Sequence, residues 1–390
     1  MGRTVASLCD ASQNEGVTPQ NALFPEFDDD LPATTEAGLP ALPGHAEEAA
    51  PAKRLRAVRP ARPRPPPPTV GLEPPDEAWL ALAAALPRNL RLGTSSWTYP
   101  GWAGVLWDGD YADTLLSRQG LAAYGQHPML RTVCLDRNFY RPLTVSQYAG
   151  YAAQVPDDFR FVVKAPSLVT DALVRAENGR GMQANEAFLR PDLALKEFVE
   201  PALEGLGHKV GALVFQLSPL PAALLGHLPE VLERLATMLA ALPALAPTAP
   251  DGVIAVEVRD PAFITAHADQ FASVLKAGGA TFCLGLHPKM PPLEEQLPLL
   301  RALWPAPLVC RWNQNRLFGP YGYEAAEKAY APFDTLIDPD PETRRALARV
   351  VAGTVGRGLN AYVTASNHVE GCAPRTLRLL AEAVRVEQRR

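Results

Sequence analysis

Several of the readiest signatures of function are missing from this chain. No G-x-G-x-x-G fingerprint follows its first apolar run, and no P-loop, nucleophile elbow or HExxH motif appears. Cysteine is scarce. The five are Cys9, Cys134, Cys283, Cys310 and Cys372, an odd number with no CxxC or other metal-ligand spacing. Cys134, Cys283 and Cys310 fall inside predicted strands, where a reduced thiol packs as a small hydrophobe, and a reducing cytosol fits that usage. An excess of either charge is lacking too, with 37 Lys and Arg against 42 Asp and Glu. The net charge of -5 is too mild to imply a polyanion partner for the whole chain. The opening MGRTVASLCDASQNEG has no apolar core of the kind a signal peptide needs. No stretch is long and apolar enough to span a bilayer. The richest, around Leu220–Leu245, is broken by Pro229 and Pro243 and carries Glu230, Glu233 and Arg234. A cytoplasmic protein without membrane contact is the expectation.

Proline, by contrast, is abundant, with 40 residues, many of them in the first 76. Residues 1–76 have little aromatic content and no sustained periodicity, so they cannot bury enough apolar area to offset chain entropy. A disordered, Pro-rich and partly basic extension is expected there. Glu26 to Asp30 is acidic. Lys53, Arg54, Arg56, Arg59, Arg62 and Arg64 make residues 53–64 basic, and Pro65–Pro68 is a polyproline run. That basic stretch would suit a nucleic-acid or proline-motif contact, and the plainer reading, which composition favours, is a stiff, solvated linker.

From residue 77 to 390 short apolar runs alternate with helix-like segments. The runs are Leu90–Ser95, Arg131–Leu135, Arg160–Ala165, Val210–Leu217, Val253–Val258, Thr281–Leu286, Leu308–Trp312 and Asn360–Thr364. Helices are predicted between them. These include Asp76–Leu86, Tyr111–Tyr124, Thr144–Gln154 behind a Thr cap, a long Asn185–Leu206, and Arg375–Glu387 at the end. Eight strand–helix units in about 300 residues predict an α/β fold, a TIM (β/α)8 barrel over residues 77–390. An open doubly wound sheet is the rival, and it lacks its usual glycine fingerprint here.

Almost every run ends in a polar, charged or aromatic residue: Ser95 and Trp97, Asp136, Lys164, Gln216, Glu257 and Arg259, Arg311 and Asn313, Asn367. In a parallel barrel the strand C-termini converge on the face that carries the site. Residues two apart on a strand share a side, so Glu257 with Arg259, and Arg311 with Asn313, can both point into the mouth. Lys164 closes an otherwise apolar run and needs a carboxylate, a bound anion or solvent, with Glu257 the first candidate partner and Asp136 the second. One reading is an anion site. Lys164, Arg259 and Arg311 would hold a phosphate or carboxylate, and Glu257 or Asp136 would act as general acid–base. Gln216 would contribute to substrate binding, Asn313 and Asn367 would orient hydroxyls, and Trp97, Tyr99, Trp102 and Tyr140 would form an aromatic wall. The plainer reading is a structural ion network such as Lys164–Glu257–Arg311, with the aromatics merely packing the first loop on the rim. A Schiff-base role for Lys164 is a minor reading. A cofactor is not required. A divalent metal held by His287 and His368 with Asp136 or Glu257 competes with ordinary loop histidines. The loop Glu177–Gly181 could be a lid carrying Arg180 or an ordinary surface loop.

GTSSWTYPGW (Gly93–Trp102), FRFVVKAP (Phe159–Pro166), VFQL (Val214–Leu217), AVEVRDPAF (Ala255–Phe263), VCRWN (Val309–Asn313) and ASNHVEGCAP (Ala365–Pro374) occur in a fixed order. This ordered set resembles domain of unknown function 72, the YecE-like family, over about residues 90–385. The resemblance implies a TIM barrel and a bacterial cytosolic protein, and it supplies no reaction. Relatives usually carry Glu-x-Asn before an aromatic pair at the second strand. Here Cys134 and Asp136 stand in that block, ahead of Asn138, Phe139 and Tyr140, so a role of that Glu would be lost or moved to Asp136. The expected function is an enzyme acting on a small anionic metabolite, a lyase, isomerase or hydrolase. The alternative is a non-catalytic barrel that binds an anion or nucleic acid and uses its N-terminal arm for interaction.

Overall fold

The computed structural model describes residues 69–175 and 182–390. The expected disorder of the extension, its basic stretch 53–64 and the Glu177–Gly181 loop lie outside the described residues, except for residues 69–76.

Eight parallel strands close into a barrel. They are β1 (Leu90–Thr94), β2 (Leu130–Leu135), β3 (Arg160–Lys164), β6 (Val210–Gln216), β7 (Val253–Glu257), β8 (Ala280–Leu286), β9 (Leu308–Trp312) and β10 (Ala361–Ala365). Around the ring the order is β1-β10-β9-β8-β7-β6-β3-β2, which is chain order apart from a short antiparallel hairpin, β4 (Leu173–Arg175) with β5 (Met182–Ala184), that follows β3. The strands are buried almost throughout because helices cover the outer face and side chains fill the inside. Cys134, Val162, Val214, Ala255, Cys283, Val309 and Tyr362 meet within the barrel, and the larger apolar cluster lies between strands and helices.

Local chemistry fixes the helix starts. Trp79 N–H bonds the Asp76 carboxylate at 2.7 Å, and Thr144 and Gln147 close a reciprocal capping box ahead of helix Val145–Ala152. The predicted helix from Asn185 begins instead at Pro191. Asn185 is buried, and its amide bonds the carbonyls of Leu168 and Asp171 at 2.8 and 2.7 Å, so it pins the hairpin rather than opening a helix.

The boundary expected at residue 77 moves toward the N-terminus. Leu72 pairs with Trp107 in an antiparallel bridge, Glu73 N–H bonds the Leu106 carbonyl at 2.9 Å, and Val70 and Leu72 pack on the core. These two apolar side chains give the segment 69–76 enough burial to be held.

The N-terminal end of the barrel is closed by charge. Asp251 accepts from Arg91 at 3.1 Å and from Arg160 at 2.9 Å. Its backbone carbonyl accepts the Tyr362 hydroxyl at 2.7 Å. No helix among the described residues is long and apolar enough to cross a membrane.

Candidate functional site

At the opposite end the strand C-termini bring together most of the residues singled out by the sequence. Paired registers set Gln216 beside Glu257 on β6 and β7, and Thr364 beside Arg311 on β10 and β9. Inward-facing positions of neighbouring strands thus form one ring, and Arg311 occupies its centre.

Arg311 is only 3% exposed. Its Nη1 donates to Glu257 Oε2 at 2.6 Å and Gln216 Oε1 at 2.8 Å, and its Nη2 donates to both oxygens of Asp136 at 2.9 and 3.0 Å. Arg259 pairs with Glu257 Oε1 and donates to Gln216 Oε1 at 3.2 Å. Asn313 Nδ2 donates to Glu257 Oε1 at 3.2 Å. Room for this layer comes from Gly285 on β8. A Cβ there would stand 3.1 Å from both Arg259 Nη1 and Glu257 Oε1. Burial alone would raise the Glu257 carboxyl, but the Arg259 and Arg311 guanidiniums, with Lys164 beyond them, outweigh it and hold the group down at about 2. Two guanidiniums and two carboxylates therefore balance within the bonded cluster.

Lys164 is the cation left over. Neither Glu257 nor Asp136, its expected partners, bonds it, because both are taken by Arg311. Among the described residues its Nζ has no hydrogen bond or ion pair, and it sits 3.4 Å from the centroid of the Phe139 ring. Burial pushes its ammonium down to about 8, an effect that Asp136 offsets in part and that Arg311 and Arg259 deepen. The loop carrying Asp136, Phe139 and Tyr140 is anchored by buried Asn138, whose Nδ2 donates to the Lys164 carbonyl at 2.8 Å. Tyr140 stands at the rim, 40% exposed, its hydroxyl pushed up to about 12 by burial and by Asp136.

The second-strand departure has a plain outcome. Cys134 is buried, and burial, with Asp136 next to it, pushes its thiol well up. The thiol donates to Asp136 Oδ1 at 3.0 Å. Asp136, one pleat further on, supplies the carboxylate that Arg311 engages.

Three predicted site residues lie elsewhere or face the site only in part. Trp97 packs in the helix layer, edge-on to Tyr151, with its indole N–H on the Leu116 carbonyl at 3.1 Å. Asn367 is fully buried. Its Oδ1 accepts from Trp102 Nε1 at 3.2 Å and from Ala373 N–H at 2.8 Å, so it braces the start of helix Ala373–Glu387. Tyr99 packs at a tilt on Trp102 and edge-on against Phe333 while its hydroxyl reaches Ser95; burial, then Glu327, pushes that hydroxyl up.

Both histidines named as candidate metal ligands make hydrogen bonds through their rings. Burial, then Arg259, drives His287 down to about 3, and its Nδ1 accepts the Lys289 N–H at 3.0 Å. His368 is bonded through both ring nitrogens, to Ser366 and Glu327. Among the described residues no group of three His, Cys, Asp or Glu side chains is arranged to hold a metal ion. Sequence reasoning missed Ser366, Glu327 and Tyr323 at this face. Ser366 was within reach, since it lies two beyond Thr364 in the same alternation.

The geometry defines a parallel β/α barrel whose polar residues converge on the C-terminal mouth. Within that class the chain belongs to the family described as Protein of unknown function DUF72, whose model matches residues 91–390. Among solved structures it is similar to a DUF72 family protein of Enterococcus faecalis V583. The identity is 16%, with 77% of this chain and 96% of that one covered and a TM-score of 0.47. It is also similar to a DUF72 family protein of Thermotoga maritima MSB8, at 18% identity over 77% of this chain and 99% of that one, with a TM-score of 0.46. No curated protein matches the chain.

Proposed function

We propose that the barrel mouth is a site for a small anionic metabolite, phosphorylated or carboxylated, and that the protein is an enzyme working on it by acid–base chemistry. One observation carries this reading. After Arg311 and Arg259 are matched by Asp136 and Glu257, the Lys164 ammonium is left facing the mouth without a carboxylate on it among the described residues. A partly buried cation of this kind is satisfied by a bound anion. Its fall to about 8 also brings its proton exchange close to neutral pH, as a general acid or base requires. The roles first sketched for the cations are thereby divided. Lys164 meets the ligand, whereas Arg311 and Arg259 hold the two carboxylates in place.

The test is a thermal-shift screen of wild type and Lys164→Met against inorganic phosphate and a panel of phosphorylated and carboxylated metabolites. Wild type should be stabilised by at least one of them and the variant by none. An equal shift in both would put the anion elsewhere and end the proposal.

A further inference from the structure

The mouth holds a second polar cluster that this role of Lys164 leaves unused. Ser366 directly follows β10, and its N–H still bonds the Trp312 carbonyl at 2.9 Å. The strand alternation therefore extends to it, and it shares the inward side of Thr364. Ser366 Oγ lies 2.8 Å from His368 Nδ1, and His368 Nε2 lies 2.6 Å from Glu327 Oε2, on helix Tyr323–Tyr330. The tautomer with its ring proton on Nε2 lets that nitrogen donate to the Glu327 oxygen. Nδ1 then offers its lone pair, and the Ser366 hydroxyl donates to it. The His368 backbone N–H donates to the same Oγ at 3.1 Å and fixes the hydroxyl's position.

The imidazole is held on its faces as well. Tyr323 stacks on it with ring centroids 4.3 Å apart, and Phe333 meets it edge-on at 5.6 Å. At 1% exposure the ring has no route to a ligand of its own. It can act on a ligand only through Ser366. The cluster also borders the site already described: Glu327 and Asp136 both push up the hydroxyls of Tyr99 and Tyr323.

We propose that Ser366 is a nucleophile, with His368 as its general base and Glu327 as a positioning residue, and that the substrate class is a carboxylic ester of a small anionic molecule. The Ser366 oxygen would attack the acyl carbon as its proton passes to His368 Nδ1. The bond to the alcohol oxygen then breaks, and that oxygen takes the proton from Nδ1. Water attacks the acyl-serine by the same route in reverse, releasing the acid and restoring the hydroxyl. The anionic part of the ester resting on Lys164 depends on the function proposed above; the nucleophile does not. The competing account is a turn brace, in which the serine oxygen merely caps an N–H two residues on.

A neutral alkyl fluorophosphonate separates the two. Incubated with the full chain, it should form one adduct, on Ser366, with loss of fluoride, located by peptide mass spectrometry. His368→Asn should slow labelling by at least about 100-fold, the usual contribution of a positioned base, and Glu327→Gln should slow it to a rate between those two. Absence of an adduct on Ser366 in folded wild type, or an unchanged rate in His368→Asn, would overturn the proposal. The probe carries no anionic group. Failure to label alongside a Lys164-dependent anion shift removes the nucleophile alone, and labelling without that shift removes the anion site alone.

Discussion

Replacing Lys164 and Arg311 by methionine, one at a time, should move stability in opposite directions. Arg311 is buried and bonded to Asp136, Glu257 and Gln216. Its loss strands Asp136 and leaves Glu257, which has no exposed surface, with Arg259 as its remaining ion-pair partner. Breaking a buried pair by deleting one member costs about 3–5 kcal/mol. At roughly 2–4 °C per kcal/mol the melting temperature should fall by about 6–20 °C. Lys164 is the reverse case. The drop from its ordinary 10.5 to about 8 corresponds to a penalty of roughly 3 kcal/mol on the charged form, an upper bound because the side chain is partly exposed. Lys164→Met removes that penalty and keeps most of the volume, so the apo protein should melt several degrees higher at pH 7. The pH dependence carries the sign. Between pH 8 and 10.5 the unfolded chain holds the Lys164 proton more tightly than the folded one, so stability should rise with pH across that window. This rise should vanish in Lys164→Met. Differential scanning calorimetry of the three proteins from pH 6 to 10.5 decides it. A lower melting point for Lys164→Met at pH 7 would show that the amine is a structural member of the network, and the division of roles among the cations would be wrong.

Glu257→Gln should flatten the acid limb of stability, since a carboxyl held at about 2 contributes stability that is present above its ordinary 4.5 and is lost as pH falls toward 2; denaturant titration at pH 3 and pH 6 gives the comparison, and identical acid limbs would refute it. Gly285→Ala should crowd the Arg259–Glu257 pair, which must give by a few tenths of an ångström, and cost roughly 1 kcal/mol, and an unchanged denaturant midpoint would mean the layer is looser than its distances. A chain beginning at residue 77 should melt below one beginning at residue 69, because it loses the Leu72–Trp107 bridge and the burial of Val70 and Leu72; equal melting points would show that this segment adds nothing.

Which parts of this protein could be read in advance follows from how far each rule reaches along the chain. The barrel strands were legible because each is a short apolar run buried on both faces and ended by a polar residue. Alternation then placed Asp136, Lys164, Gln216, Glu257 and Arg311 correctly in one ring. It failed for Trp97, three residues past the end of β1, where the ladder no longer dictates which way a side chain turns, whereas Asn367 shares the outward side of Val363 and Ala365, so alternation itself turns it from the ring. The pairing inside the ring was not legible either. Which carboxylate meets Arg311 depends on distances across the barrel, so of the carboxylate, bound anion or solvent that Lys164 could meet, the strand pattern alone could not choose. Glu327 gave no signal at all: it is one charged residue of an ordinary helix, 41 positions from the histidine it bonds. The helix predicted from Asn185 failed because a buried amide satisfying two carbonyls looks, in sequence, like any polar helix residue.

The ion cluster around Asp251 has a consequence for traffic. With Arg91, Arg160 and Tyr362 gathered on Asp251 and a layer of side chains packed above them, no conduit runs through the barrel. If Lys164 holds the proposed anion, that ligand and any second reactant, water included, would have to come and go by the same C-terminal face. Two such species could not approach from opposite sides, so a spent molecule would have to clear the rim before its successor could dock, and Tyr140 would meet each arrival and each departure.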